Sequence, residues 1–304
     1  MTTYFTPRPA PELPSFLASQ MPWPRYLVDL PGGHTIHYVD TGGTGPAVWL
    51  QHGNPMWCFL WRKVIPALQQ AGLRVLAPDA VGLGFSSAAP SMAWHSLAAH
   101  AEVFEHWTRA LGLNRFVIAG QDWGGPWVGS VAARRPECIA GAVFANTAIA
   151  AVRKQPRVTF FHGLSNRPVI SDILFRGLGF PLPVLSRVQG DRSSIGLREL
   201  AAYGWPLRSF AARSTVLGLA RMVPTRMDHP TLAELEKIDA WARGFRGPVE
   251  LVWGLRDPIL GPALRRVREL FPQAPVTETQ AGHFLQEEVP QQLAEAIVRV
   301  AQRT

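Results

Sequence analysis

Short runs of apolar residues alternate along the chain with longer segments in which apolar residues recur at helical spacing. Several of the short runs, such as FVIAG at 116–120, carry apolar residues on both faces, as strands do when helices cover both sides of a parallel sheet. The alternation predicts an α/β fold with a doubly wound, mostly parallel sheet of eight strands. The predicted strands are 25–30, 34–40, 47–53, 74–80, 115–121, 141–147, 249–254 and 276–280, and the predicted helices are 57–71, 94–111, 124–135, 262–271 and 290–302.

The alternation stops between residues 148 and 235. This stretch is rich in Arg, Pro and Phe and is typical of short helices joined by loops. Because the strand pattern resumes after it, we predict one core domain formed by 1–147 and 236–304, with a helical cap inserted at 148–235. Six apolar cap residues are candidates for lining a pocket: Phe160, Phe161, Leu174, Phe175, Leu178 and Phe180.

The formal net charge of the 304-residue chain is +8, and most of it lies in the predicted cap. Residues 148–235 contain twelve Arg or Lys and five Asp or Glu, a net charge of +7. The basic residues are dispersed and are not accompanied by an aromatic–basic RNA motif or a zinc-ligand spacing, so the pattern indicates a solvated basic surface and no nucleic-acid partner.

The remaining composition predicts a cytoplasmic protein that is not embedded in a membrane. No apolar run approaches the ~18 residues of a membrane-spanning helix, and the first residues lack the apolar stretch of a signal peptide. Nothing requires the two cysteines, Cys58 and Cys138, to pair, which is consistent with a reducing compartment.

The segment GQDWGG, residues 120–125, joins a predicted strand to a predicted helix. Its Gly-x-Asp-x-Gly frame places Asp122 where a nucleophile elbow holds its reactive residue, and the glycines on either side relieve crowding in the tight turn. A carboxylate is already anionic at neutral pH and can attack without a base. The alternative is that Asp122 only caps the helix that follows.

An elbow of this kind predicts an acid and a histidine further along the chain, each after a late strand. Asp257 follows the strand 249–254, and His283 follows the strand 276–280. Taken alone, Asp257 before Pro258 is also a good helix start, and most of the nine histidines in a chain like this are structural. The positions of Asp257 and His283 after successive strands distinguish them from residues with a purely structural role.

The motif HGNP, residues 52–55, ends the third predicted strand. In folds with a nucleophile elbow the chain turns here and supplies a backbone N–H to an oxyanion hole, which assigns that role to Asn54 and, at the elbow, to Trp123. The Asn54 side chain would stand beside the site with two amide donors. Asn-Pro is also ordinary turn chemistry, so both interpretations of this side chain stay open.

Together these motifs resemble the haloalkane dehalogenases of the α/β-hydrolase superfamily. The resemblance rests on HGNP, on DWGG, and on Asp257 with GHF at 282–284, and it covers nearly all of the predicted core; PDAVGLGFS at 78–86 is shared more widely. It implies an α/β-hydrolase fold with a helical cap, a small apolar halogenated substrate, halide as product, and neither a metal nor an organic cofactor. It assigns Asp122 as nucleophile, His283 as base, Asp257 as the orienting acid, and Trp123 and Asn54 as the halide-binding pair.

The motifs combine features of different branches of this family: a late acid, Asp257, together with an Asn–Trp halide pair, Asn54 and Trp123. Members of the branch with a late acid usually bind halide with a cap tryptophan, but 148–204 contains none and Trp205 comes late in the cap. Epoxide hydrolases share the Asp–His–Asp triad and the DWGG elbow and are the main alternative, although they use two cap tyrosines and this cap has only Tyr203. A ligand-binding relative without catalysis and a luciferase-like oxygenase are further alternatives.

Overall fold

The computed structural model describes residues 5–155 and 160–304. Within these residues one nine-stranded sheet runs in the order β1-β2-β3-β5-β4-β6-β7-β8-β9. The first three strands and the β3–β5 pair are antiparallel, and all other pairs are parallel. The strands are β1 Arg8–Pro9, β2 Arg25–Leu30, β3 His34–Asp40, β4 Ala47–Gln51, β5 Arg74–Pro78, β6 Phe116–Gln121, β7 Ile139–Ala145, β8 Val249–Gly254 and β9 Val276–Thr279.

The eight predicted strands are all present, and the mostly parallel α/β sheet is confirmed. The additional strand, β1, is a two-residue pairing at the edge of the sheet, too short to show a periodic pattern. The α-helices are α1 Ser15–Ala18, α2 Ile65–Gln70, α3 Leu97–Ala110, α4 Gly124–Arg134, α5 Phe160–Ser165, α6 Leu197–Gly204, α7 Ser214–Arg221, α8 Thr231–Gly244, α9 Leu264–Leu270, α10 Leu285–Glu288 and α11 Pro290–Ala301.

Short helices of other types join these elements. A π-helix covers Asp172–Gly177, and 3₁₀ turns cover Pro31–Gly33, Cys58–Lys63, Met92–Trp94, Pro136–Cys138, Leu182–Val188, Arg192–Ser194, Trp205–Leu207 and Gly261–Ala263. The helix predicted over 57–71 is therefore split into a 3₁₀ turn and α2. Pro66 stands in the first turn of α2, where its missing N–H costs no hydrogen bond, and this favours an α-helix that begins here.

The core consists of two apolar layers, one on each face of the sheet. Along β4, Trp49 belongs to one layer while Val48 and Leu50 belong to the other, because successive strand residues point to opposite faces. The first layer includes side chains of α3, α4 and α8, and the second includes those of α2 and α11. The sheet is thus covered on both faces, as its apolar strands predict.

The chain between β7 and β8 contains α5, α6, α7 and α8. Of these, α8 crosses the predicted boundary at residue 235 and packs on α4, with Ile238 and Trp241 in the first core layer. The helical insertion before α8 remains the predicted cap. No helix in 5–155 or 160–304 combines the length and apolarity needed to cross a membrane.

Candidate active site

Asp122 lies in the turn between β6 and α4, with a backbone φ of +53°. A non-glycine residue in this region costs about 1–2 kcal/mol and persists only where its surroundings hold it. Here the Asp122 N–H donates to the Asn146 carbonyl at 3.0 Å, and the Thr147 hydroxyl donates to the Asp122 carbonyl at 2.7 Å. Gly124 allows the turn to approach β4, because a Cβ there would lie 2.2 Å from the Gln51 carbonyl oxygen.

The Asp122 carboxylate is held by backbone donors. Its Oδ1 accepts the Asn54 N–H at 2.8 Å, and the Trp123 N–H also donates to the carboxylate. No side chain caps α4, whose N-cap is Trp123. The structure therefore places both backbone groups of the predicted oxyanion hole on the predicted nucleophile.

The three predicted triad residues meet at the carboxyl edge of the sheet. His283, after β9, bonds through Nδ1 to Oδ2 of Asp257, after β8, at 2.8 Å. On the other side of the ring, Nε2 lies 3.7 Å from Oδ2 of Asp122. Asp257 and His283 are buried, while 16% of the Asp122 side chain is exposed. The imidazole thus lies between an enclosed acid and an accessible carboxylate.

Local hydrogen bonds keep Asp257 ionised. Burial works to raise the pKa of its carboxyl group, but the His283 ring and the Ile259 and Leu260 N–H groups outweigh burial and lower the pKa below its ordinary value. The two N–H groups donate to Oδ1 at 2.7 and 3.1 Å. Oδ2 binds the His283 ring and also accepts the Asn146 amide at 2.7 Å.

The other two members of the triad shift in the opposite direction. Burial works to lower the pKa of His283, but the Asp257 charge and hydrogen bond, with help from Asp122, raise it above the ordinary value. Burial also raises the pKa of Asp122, and the charge of His283 and the N–H donors only partly oppose this rise. The histidine is therefore a stronger base than a free imidazole.

Trp123 and Asn54, the predicted halide-binding pair, flank Asp122 in different ways. Trp123 is half-buried and packs on the first core layer. The Asn54 side chain donates one Nδ2 proton to the Val216 carbonyl at 3.1 Å, and its Oδ1 is buried without a partner among the described residues. An amide nitrogen carries two protons, so one Asn54 donor remains for a ligand.

Asn146 is a site residue that the sequence predictions missed. It follows β7, has a φ of +28°, and donates from Nδ2 to Asp257 Oδ2 at 2.7 Å. The same Nδ2 contacts the Gly254 and Gly282 carbonyls at 3.2 Å, and Oδ1 accepts the Gly254 N–H at 2.8 Å. A polar residue directly after a buried strand was the available signal, because the carboxyl ends of parallel strands converge on the site.

Tyr203, the one tyrosine of the predicted cap, is hydrogen-bonded to a carboxylate other than Asp122. Its buried hydroxyl donates to Glu287, whose carboxylate also binds Arg62 at 2.6 Å and Lys63 at 2.9 Å. Burial and the Glu287 charge raise the pKa of Tyr203 well above its ordinary value. The hydroxyl is thus committed to an ion-pair network.

Of the predicted pocket-lining residues, Phe175 is buried in the first core layer and Leu178 is 67% exposed, so Leu178 does not line an enclosed pocket. The side chains of Phe160 and Phe161 lie outside the described residues. Leu174 and Phe180 are partly buried against the core.

His37, Cys58 and Asp79 form a buried group of metal-ligand types outside the predicted triad. The Asp79 oxygens already accept hydrogen bonds from the His37 ring at 2.7 Å and from the Cys58 N–H at 2.7 Å. Burial, together with the Asp79 charge, raises the pKa of the Cys58 thiol well above its ordinary value. These groups satisfy one another as a structural cluster.

The profile of the family described as alpha/beta hydrolase fold matches residues 46–290. The chain is 34% identical over 266 residues to haloalkane dehalogenase 2 of Mycobacterium tuberculosis, covering 86% of this chain and 90% of that protein. It is 31% identical to the haloalkane dehalogenase of Mycobacterium marinum, covering 91% of this chain and 93% of that protein. The crystal structure of haloalkane dehalogenase DbeA from Bradyrhizobium elkani superposes with a TM-score of 0.82 at 22% identity, covering 91% and 97% of the two chains.

Proposed function

The chain belongs to the haloalkane dehalogenases of the α/β-hydrolase fold family, hydrolases that act on carbon–halide bonds, and we propose that it works through a covalent ester on Asp122. One observation carries this proposal: Oδ2 of the Asp122 carboxylate faces His283, Oδ1 accepts the Asn54 N–H, and the Trp123 N–H also donates to this carboxylate. A displacement followed by hydrolysis at the same carboxyl group needs both a base beside the carboxylate and N–H donors on it.

The first step is displacement at the halogen-bearing carbon. Asp122 Oδ1 is engaged by the Asn54 N–H, so Oδ2 attacks and the carbon–halogen bond breaks with its electron pair leaving on the halide. A departing halide needs hydrogen-bond donors and no acid. The Trp123 indole N–H and the free Asn54 amide proton serve as these donors, and their bonds strengthen as negative charge develops.

The second step is hydrolysis of the ester. His283 Nε2 takes a proton from a water molecule while the water oxygen attacks the Asp122 carboxyl carbon. Asp257 holds the imidazole ring through Nδ1 and stabilises the positive charge that the ring acquires. The ester carbonyl is then Oδ1, which already lies against the Asn54 N–H. The alcohol leaves, Asp122 regains its charge, and the imidazolium releases a proton to solvent.

The predicted cap covers this site in our proposal. Its support is the hydrogen bond from the Asn54 side chain to the Val216 carbonyl on α7, which joins the proposed halide donor to the inserted helices. Exclusion of water by such a cover strengthens every charge interaction in the site. The substrates we expect are small, apolar and halogenated.

Epoxide hydrolysis is the second candidate, because the same triad serves it. Opening an epoxide requires hydroxyl donors for the ring oxygen. Tyr203 donates instead to Glu287, which argues against this reaction.

The test measures halide and proton release from 1-bromobutane, 1,2-dibromoethane and 1-iodohexane, with styrene oxide alongside. The native chain, Asp122→Ala and a control at an exposed aspartate, Asp228→Ala, are compared. We expect halide from the native chain and the control and none from Asp122→Ala. His283→Phe should accumulate the alkyl group as added mass on Asp122. Diol from styrene oxide without halide from any substrate would refute the proposal.

A further inference from the structure

The three residues 282–284, which carry His283, have every backbone N–H and carbonyl paired. Two of these bonds come from the strand ends that hold the rest of the triad. Asn146 donates to the Gly282 carbonyl at 3.2 Å, and Gln121, next to Asp122, donates to the His283 carbonyl at 3.0 Å. The other pairs involve a different part of the molecule.

Segment 188–191, which lies in the predicted cap, supplies three of the remaining pairs. The His283 N–H donates to the Val188 carbonyl at 2.9 Å. The buried Gln189 side chain bonds both backbone groups of Phe284: its Oε1 accepts the N–H at 2.9 Å, and its Nε2 donates to the carbonyl at 3.2 Å. Segment 188–191 thus hydrogen-bonds the backbone of His283 and of the residue that follows it.

Glu288 joins the two stretches of chain a second time. Its Oε1 accepts the N–H groups of Gly282 at 2.8 Å and Gly190 at 3.1 Å, and its Oε2 accepts the Asp191 N–H at 2.6 Å. One carboxylate therefore bridges the residue before His283 and the end of segment 188–191. Charge-assisted bonds of this kind are roughly twice as strong as neutral ones.

The approach is close enough to exclude side chains on both stretches. A Cβ at Gly282 would lie 2.3 Å from the Val188 carbonyl oxygen and 2.4 Å from the Gln189 Cα. A Cβ at Gly190 would lie 2.3 Å from the Gln280 carbonyl oxygen. Two glycines are therefore required where the segment meets the histidine loop, and a displacement of one stretch is transmitted to the other.

We propose that segment 188–191, acting mainly through Gln189, is a positioning element for His283 that is needed for ester hydrolysis and not for halide displacement. The inference rests on the proposed function. Its step selectivity follows from the geometry, because Asn54, Asp122 and Trp123 form no hydrogen bond with residues 188–191 in the described parts of the chain. Among the described residues, His283 is the proposed catalytic residue whose backbone this segment bonds.

The test compares two buried glutamines. Gln189→Met keeps side-chain length but removes both bonds to Phe284. Gln286→Met is the matched control, because Gln286 lies on α10, is also buried, and neither of its amide atoms has a partner among the described residues. Rapid-quench halide release with 1-iodohexane reports displacement, and intact mass of Asp122 esters reports hydrolysis.

We expect Gln189→Met to release its first halide at the native rate and to hydrolyse the ester about 10–100-fold more slowly, since small misplacements of a catalytic group have costs of this size. The ester should accumulate, and kcat and KM should fall together so that kcat/KM is unchanged. Gln286→Met should match the native protein. Equal slowing of both steps, or hydrolysis at the native rate, would overturn the proposal.

Two further measurements keep the test decisive. If Gln189→Met does not fold, Glu288→Gln should show the same selective slowing, and its absence would refute the idea. NMR titration of the His283 ring, assigned with His283→Phe, needs no substrate: a positioning role predicts a pKa lower in Gln189→Met than in the native protein, and an unchanged pKa contradicts it. If the native protein released no halide, the proposed function would fail while this titration still decided the positioning role.

Discussion

Asn146→Asp replaces an amide by a carboxylate of the same shape, directly beside Asp257. The Asn146 nitrogen lies 2.7 Å from Asp257 Oδ2, so the variant brings two carboxyl groups into contact inside the protein. Two unit charges about 4 Å apart repel by about 4 kcal/mol at an effective dielectric constant of ~20. This corresponds to a rise of about 3 pKa units for one of the two groups.

The sign of the pH dependence follows from this rise. A carboxyl group whose pKa is raised in the folded state binds its proton more tightly there than in the unfolded chain, so stability falls as pH rises from the unfolded value through the folded one. The variant also loses the hydrogen bonds from Asn146 to the Gly254 and Gly282 carbonyls, and each loss destabilises the fold by about 1 kcal/mol at every pH. We expect the free energy of unfolding of Asn146→Asp to be lower than that of the native protein by about 2 kcal/mol at pH ~4.5 and by about 6 kcal/mol at pH ~8.5.

The assay is urea unfolding of the variant and the native protein at both pH values. Asn146→Ala removes these hydrogen bonds, and also the one from the Gly254 N–H to Oδ1, without adding charge, and its loss of stability relative to native should not vary with pH. The exchange variant Asn146→Asp/Asp257→Asn restores one charge to the pair and should recover most of the stability lost at high pH. A loss in Asn146→Asp that is the same at both pH values would refute the electrostatic reasoning.

Three other predictions concern single contacts. Trp123→Phe removes one donor to the departing halide, a bond to a charged group of about 1.5–3 kcal/mol, and should lower the rate of the halide burst about 10–100-fold; an unchanged burst would exclude Trp123 from the halide site. The raised pKa of His283 predicts that single-turnover ester hydrolysis falls as pH drops through that value, since the protonated ring cannot accept a proton; a pH-independent rate would contradict this. Glu287→Ala leaves the buried Arg62 without its nearer carboxylate, with that of Glu199 3.9 Å away, and should destabilise the fold by about 3–5 kcal/mol in urea unfolding, whereas a loss below about 1 kcal/mol would show that Glu199 or solvent compensates the Arg62 charge.

The parts of the fold that local patterns encode could be predicted from the sequence. The strands are apolar runs bounded by turn residues, and Asp122, Asp257 and His283 each follow such a run. The carboxyl ends of parallel strands meet at one edge, so these three residues were predicted to converge without knowledge of their distances.

The parts that depend on distant partners could not be predicted in the same way. Gln189 gives no local signal, because the role we propose for it depends on Phe284, 95 residues away in sequence. The Arg62–Glu287 ion pair joins residues 225 apart. The orientation of the Asn54 side chain depends on Val216, whose place follows from the packing of α7.

The position of β9 in the sheet has a consequence for how the protein withstands heat. In the sheet of the described residues, β9 is an edge strand that pairs with β8, and the chain after it leads to His283. Edge strands open at lower free energy than central ones, and such an opening would withdraw the base while Asp122, between the central β6 and α4, stayed in place. A molecule opened in this way would still be alkylated by substrate but could not remove the alkyl group. We therefore expect warm enzyme to be inactivated faster with its own substrate present than without it.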